Sequence, residues 1–267
     1  IFRIDHILGF YRLYSFPWRP VRNAEFLGLS EAEACLRTYD RLPGFKPHPD
    51  DTEEHRAANL AAGDTYLRVV QDAAGENEVV GEDLGAVPDY VRPHLLELGI
   101  AGFKICHWEV EADPKGIEHP VSGEEYEECS FATYATHDHP PMAARWEEFR
   151  EGTQSGDEEA RVGACWTLRI LSEFAGIPVA QDPSSFPPYS EEVKWALLRS
   201  LLETGSRYAA FMITDLFGMP DRFNTPATVG QHNWRLRMPF TVEELKRRDD
   251  LCGEADKLRV LILETER

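Results

Sequence analysis

Val79-Val80-Gly81-Glu82-Asp83-Leu84-Gly85-Ala86-Val87-Pro88-Asp89 runs from a short apolar stretch through two acids and a turn to a proline suited to the first turn of a helix. The apolar spacing predicts that helix over residues 88–98. Gly99 ends it, because a left-handed C-terminal cap suits glycine, and residues 102–106 read as the next buried strand. Working outward, strands are predicted over 1–5, 131–138 and 208–215, and helices over 51–74, 141–150, 158–174 and 190–204. Strand and helix alternate, which is the pattern of a parallel α/β architecture. Residues 16–50 break the pattern. Pro17, Pro20, Pro43, Pro47 and Pro49, with Gly28 and Gly44, mark a long loop carrying one short helix over 30–37, and a long loop after a strand commonly lines a cleft. Near the end of the chain a helix is expected after Thr241, with a last strand or helix over 258–263.

Composition narrows the function. With 267 residues and 42% hydrophobic content the chain can bury a sizeable core. A net charge of -19 repels nucleic acid, anionic lipid and phosphorylated substrates, whereas a neutral ligand such as a sugar feels no such penalty. Five cysteines, Cys35, Cys106, Cys129, Cys165 and Cys252, contain no C-x-x-C pair, which argues against a disulfide framework and for a reducing, cytoplasmic setting. Cys106 and Cys165 read as inert buried thiols, and Trp166 and Trp195 as core residues. Neither a membrane-length apolar run nor a signal-peptide layout is present in the sequence.

Three predicted strand ends present acids: Asp5 in Arg3-Ile4-Asp5-His6, Glu82 in Glu82-Asp83-Leu84-Gly85, and Asp138 in Thr136-His137-Asp138-His139. In a parallel barrel all such ends lie on one face, so acids distant in sequence converge. Cleaving a glycosidic bond with retention needs one carboxylate to attack and one carboxylic acid to protonate the departing oxygen, roughly 5 Å apart. Other readings stand beside this one. Asp83 reads as an N-cap for the helix near Pro88, His137, Asp138 and His139 with His6 have the residue types of a metal site, and the acidic runs over 124–128 and 157–159 read as solvated faces.

The order of the motifs resembles glycoside hydrolase family 77, the 4-alpha-glucanotransferases or amylomaltases, over nearly the whole chain. Besides the three acid motifs, the matching phrases are Gly9-Phe10, Val87-Pro88, Val91-Arg92-Pro93, residues 98–104, Asp215-Leu216-Phe217-Gly218, Arg222-Phe223-Asn224-Thr225-Pro226 and Asn233-Trp234. The resemblance implies a (β/α)8 TIM barrel of which residues 1–267 supply the C-terminal portion, about strands four to eight, with the loop insertion at about 16–50. The chain opens in what reads as a strand and without Met, so the N-terminal half of the barrel is expected to be a missing partner. Because a half barrel leaves strand edges unpaired, the 267 residues are not expected to turn over glucan alone. An activity assay against an N-terminally extended chain tests this, with equal activity in both as the refuting result.

For chemistry, the resemblance implies retaining double displacement on an alpha-glucan or maltooligosaccharide, without organic cofactor or obligate metal. Asp5 is the expected nucleophile and Glu82 the acid and base, protonated at rest, so burial or the neighbouring charges of Asp5 and Asp138 should raise its pKa. Arg3 is expected to keep Asp5 ionised. Asp138 is expected to stabilise the transition state, with His6, His137, Arg222 and Asn224 contacting substrate, and Tyr14, Trp18 and Trp108 stacking on sugar rings. The sequence departs from the family at His139-Pro140-Pro141, where H-D-N is usual, and at Pro226-Ala227 in place of P-G. A hydrolase of the same clan, a non-catalytic glucan-binding module and a metal-dependent hydrolase are the rival readings.

Overall fold

The computed structural model describes residues 1–179, 185–230 and 232–267. The chain divides into two compact units, Ile1–Phe103 and Lys104–Arg267.

In the first unit the elements run β1 (Phe2–Ile4), β2 (Leu13–Ser15), α1 (Asn23–Phe26), α2 (Glu31–Thr38), β3 (Gly44–Lys46), α3 (Glu53–Ala74), β4 (Val79–Gly81), α4 (Val91–Glu97) and the start of β5 (Ala101–Ile105), which leads out of the unit. β4 pairs parallel with β1, Arg3 opposite Val80, and parallel with β5, Gly81 opposite Gly102. The apolar periodicity of α3 and α4 covers these strands: Leu67, Val91 and Leu95 are buried with Ile7, Val79 and Ile100 in one core. Helix ends follow their sequence signals. Thr52 accepts the His55 N–H at 3.1 Å to cap α3, and Gly99 takes φ 68° after α4. Ser30 and Glu33 form a reciprocal capping box on α2. The predicted loop over 16–50 carries that helix, and it also holds structure the sequence did not reveal. β2 and β3 pair antiparallel, Tyr14 opposite Phe45, and so close the loop at its base.

In the second unit follow β6 (Val110–Ala112), β7 (Glu118–Pro120), β8 (Ser130–Thr133), α5 (Met142–Gly152), α6 (Glu158–Phe174), α7 (Glu191–Leu202), β9 (Tyr208–Ala209), α8 (Ile213–Leu216), α9 (Val242–Leu245) and α10 (Asp249–Glu264). β8 and β9 are parallel, and the Cys106 N–H just past β5 donates to the Thr133 carbonyl at 3.1 Å. Trp146, Leu168 and Leu201, from α5, α6 and α7, are fully buried in the core.

Several expectations need correction. The strand predicted over 131–138 stops at Thr133, whose hydroxyl turns back to the Ala135 carbonyl at 2.8 Å and takes the chain out of extended geometry. The strand predicted over 208–215 is two residues long, and Asp215 lies instead in the single turn of α8. Residues 258–263, expected as either a strand or a helix, are helical and belong to α10. Trp166 and Trp195 are half-buried: the Trp166 indole N–H donates to Glu118 at 2.8 Å, and Lys194 and Lys257 lie over the Trp195 ring. Cys106 is buried, which pushes its thiol well up, while Cys165 is only half-buried.

Lys194 on α7 is an unusual interior charge. Its side chain is 3% exposed and its ammonium pairs with Glu191 at 2.8 Å and with Glu254 on α10. Removing Lys194 leaves the half-buried Glu254 with Lys257, 3.1 Å away, as its remaining cation. Lys194→Met in the complete protein is expected to cost about 3 kcal/mol in urea unfolding, and adding Glu254→Leu should recover most of it. If the double variant is no more stable than the single one, the pair is not what anchors α10.

Candidate active site

In the first unit, parallel pairing brings the ends of β1 and β4 side by side. The Glu82 N–H donates to the Ile4 carbonyl at 2.9 Å and the Ile7 N–H to the Glu82 carbonyl at 2.9 Å, so the ladder register fixes Asp5 and Glu82 as neighbours. Arg3 shares their surroundings. One guanidinium nitrogen lies 2.9 Å from Asp5 and the other 3.5 Å from Glu82. Asp5 is the open member, its side chain 76% exposed against 20% for Glu82. His6 takes a left-handed φ of 45°, rare for a residue with a side chain, and this turn aims its N–H at Glu82 Oε2, 2.8 Å away. Of the carboxylates expected beside Glu82, Asp5 stands at the adjacent strand end, and the direct contacts to the Glu82 carboxyl are a backbone N–H and a guanidinium.

Asp83, read from sequence as a helix cap, has another task. α4 starts at Val91 and has no side-chain cap. The Asp83 carboxylate is 1% exposed and accepts the Phe103 N–H at 2.6 Å and Arg92 Nε at 3.0 Å, stapling the turn after β4 to β5. Gly102 makes room for it, since a Cβ there would lie 2.9 Å from Asp83 Oδ2.

The expected sugar platforms of the first unit lie on the long loop. Tyr14 meets Phe45 edge-on at 5.1 Å and Phe16 at 5.3 Å, and Phe16 lies 5.4 Å from Trp18. Trp18 stacks flat on Phe26 with centroids 4.1 Å apart, and its indole N–H donates to Asn23 at 2.9 Å. Arg12 covers the Phe45 ring at 3.8 Å, and the sequence reading did not anticipate that contact.

In the second unit, Asp138 follows β8 by five residues and is held from the segment after α8. Asn224 Nδ2 donates to Asp138 Oδ1 at 2.6 Å, and Arg222 donates to the Asp138 carbonyl and to the Asn224 carbonyl. His137 Nε2 lies 3.4 Å from Asp138 Oδ2 and its ring 5.1 Å from Trp234. Trp108 meets the His139 ring at 5.8 Å and the His107 ring at 5.7 Å, and is 43% exposed. Among the described residues no group of three or more His, Cys, Asp and Glu side chains is close enough to hold a metal.

A further acid acts on this segment from below. Asp215, 4% exposed, accepts the Met142 N–H at 2.7 Å through Oδ1 and the Met212 N–H at 3.1 Å through Oδ2. It clamps the first residue of α5, just after His139-Pro140-Pro141. Burial outweighs the two N–H donors and pushes its pKa up to about 6. Asp215 was visible in the sequence as part of a family phrase, but a pairing across 73 residues leaves no local signal.

Parallel strands that deliver acids, arginine and histidine at their C-terminal ends define an α/β protein with a polar site at those ends. The family model described as 4-alpha-glucanotransferase, glycoside hydrolase family 77, matches residues 1–242, and the chain belongs to that family. It is 30% identical over 245 residues to the 4-alpha-glucanotransferase of Mycobacterium tuberculosis, covering 88% of this chain and 29% of the relative. The Chlamydia caviae 4-alpha-glucanotransferase is 27% identical over 259 residues, 93% of this chain and 39% of the relative. Among solved structures, amylomaltase from Corynebacterium glutamicum superposes with a TM-score of 0.61 at 22% identity, over 95% of this chain and 35% of that one. Amylomaltase from Streptococcus agalactiae in complex with acarbose gives 0.57 at 20%, over 99% and 41%. The chain thus spans less than half the length of each of these proteins. Among the described residues no helix is long and apolar enough to cross a membrane.

Proposed function

We propose that this chain is the part of a 4-alpha-glucanotransferase that carries about strands four to eight of a (β/α)8 barrel and the acids of a retaining double displacement. The observation that carries the reading is the single guanidinium of Arg3 facing both Asp5 and Glu82, which keeps two carboxyl groups together at adjacent strand ends. Family membership supports the substrate class, an alpha-1,4-glucan or maltooligosaccharide.

In this reading the Asp5 carboxylate attacks the anomeric carbon, the glycosidic C–O bond breaks, and Glu82 gives its proton to the departing oxygen. A covalent glucosyl ester on Asp5 results. An acceptor hydroxyl then loses its proton to Glu82 and displaces Asp5, which restores the linkage on a new chain. Arg3 pairs with the Asp5 carboxylate at 2.9 Å and orients it before attack. Asp138, oriented by Asn224, grips ring hydroxyls and offsets the positive charge of the transition state, while His6, His137 and Arg222 donate to hydroxyls. Tyr14, Trp18 and Trp108 offer faces for sugar stacking. Relatives more than twice this length are the support for a preceding barrel half as the chain's partner.

Incubating the complete protein with maltotriose tests the reaction. Glucose should appear together with oligomers longer than the substrate. Products that are only shorter would identify a hydrolase and overturn the transfer reading.

A further inference from the structure

Beside the Asp138 segment the second unit buries an unusual set of nitrogen donors. His107, directly after β5, is 1% exposed, and neither its Nδ1 nor its Nε2 has a hydrogen-bond partner. Arg145, on the second turn of α5, buries Nη1 without a partner too. Its guanidinium lies over the Phe149 ring at 5.5 Å, and no ion pair to it exists among the described residues. The two groups share one neighbourhood: the Trp108 ring meets those of His107 and His139 at 5.7 and 5.8 Å, and the charge of Arg145 bears on both histidines.

The nearby groups do not supply the missing acceptor. Arg222 is itself a donor and cannot accept, its N–H groups already occupy the Asp138 and Asn224 carbonyls, and the Asp138 carboxylate faces Asn224 and His137. Glu148 acts on Arg145 only through space. Burying a guanidinium and an imidazole with unmade hydrogen bonds is expensive, and native interiors avoid it. A water molecule would satisfy the nitrogens but leave the buried positive charge unbalanced. An anion satisfies both requirements.

We infer that His107 and Arg145 form a binding site for a small monovalent inorganic anion of chloride size, set behind the Asp138 segment. Arg145 carries only N–H donors, and the His107 ring, which burial and the Arg145 charge keep neutral, offers one N–H beside them. Neither His107 nor Arg145 is assigned to the glucan reaction, although His107 meets Trp108, and occupancy of the site can be read without turnover. It therefore stands or falls independently of the proposed transferase activity.

Bromide serves as the probe. In crystals of the complete protein soaked in sodium bromide, an anomalous peak is expected within hydrogen-bonding reach of Arg145 Nη1 and a His107 ring nitrogen. No peak there, with bromide scattered over the surface as an adventitious ion only, overturns the inference. In solution, sodium chloride should raise the melting temperature by roughly 3 °C over sodium gluconate at equal ionic strength. Arg145→Met should abolish the difference. Should that variant fail to fold, His107→Phe carries the same comparison, since it removes the ring nitrogens while retaining an aromatic ring. Equal melting temperatures of the parent protein in the two salts refute the site.

Discussion

Asp5→Asn in the complete protein is expected to lower glucan transfer by at least about four orders of magnitude while leaving glucan binding largely intact. The amide has no anionic oxygen to attack the anomeric carbon, so the covalent ester cannot form. The fold should tolerate the change, because Asp5 is mostly exposed and its ion pair with Arg3 lies in high dielectric, where such pairs contribute little. Circular dichroism and a glucan-binding isotherm of the variant separate a lost nucleophile from a lost structure. Turnover near the parent rate in a folded Asp5→Asn protein would remove Asp5 from the mechanism, and with it the double displacement.

The second large effect is expected at Asp215, which touches no residue assigned to the reaction. Asp215→Ala leaves the buried Met142 N–H and the half-buried Met212 N–H without acceptors, at a cost of about 2–4 kcal/mol. Because Met142 opens α5, the preceding segment through Asp138 loses its fixed end, and kcat should fall about 100-fold, the scale of a small misplacement. The pH dependence gives an independent reading. Below about pH 4 the carboxyl is protonated in both folded and unfolded chains. The folded protein keeps that proton up to about pH 6 whereas the unfolded chain releases it earlier. Stability therefore declines as pH rises from about 4 through 6 by a contribution that Asp215→Ala lacks. Parallel stability curves for the two proteins across that window would show that the proton on Asp215 is not linked to folding.

What the sequence disclosed and what it withheld divide along physical lines. Periodicity located α3, α6 and α7 to within a few residues, and apolar runs ending in acids placed Asp5 and Glu82 at strand ends, because these signals are local. The short extent of β8 and β9 was hidden. A hydroxyl turning back at Thr133 and a carboxylate capping at Asp215 stop strands that hydropathy alone would continue. Asp83 misled for a related reason. An acid before a proline looks like a helix cap, and only the approach of Gly102 and Phe103 reveals the donor it serves instead. The bare nitrogens of His107 and Arg145 had no sequence signature at all, since a missing partner is a property of packing.

The flat contact between Trp18 and Phe26 limits what the long loop can do for a passing sugar. With one side of the indole already occupied by Phe26, a sugar stacking on Trp18 under the proposed function would have the other side alone to lie on.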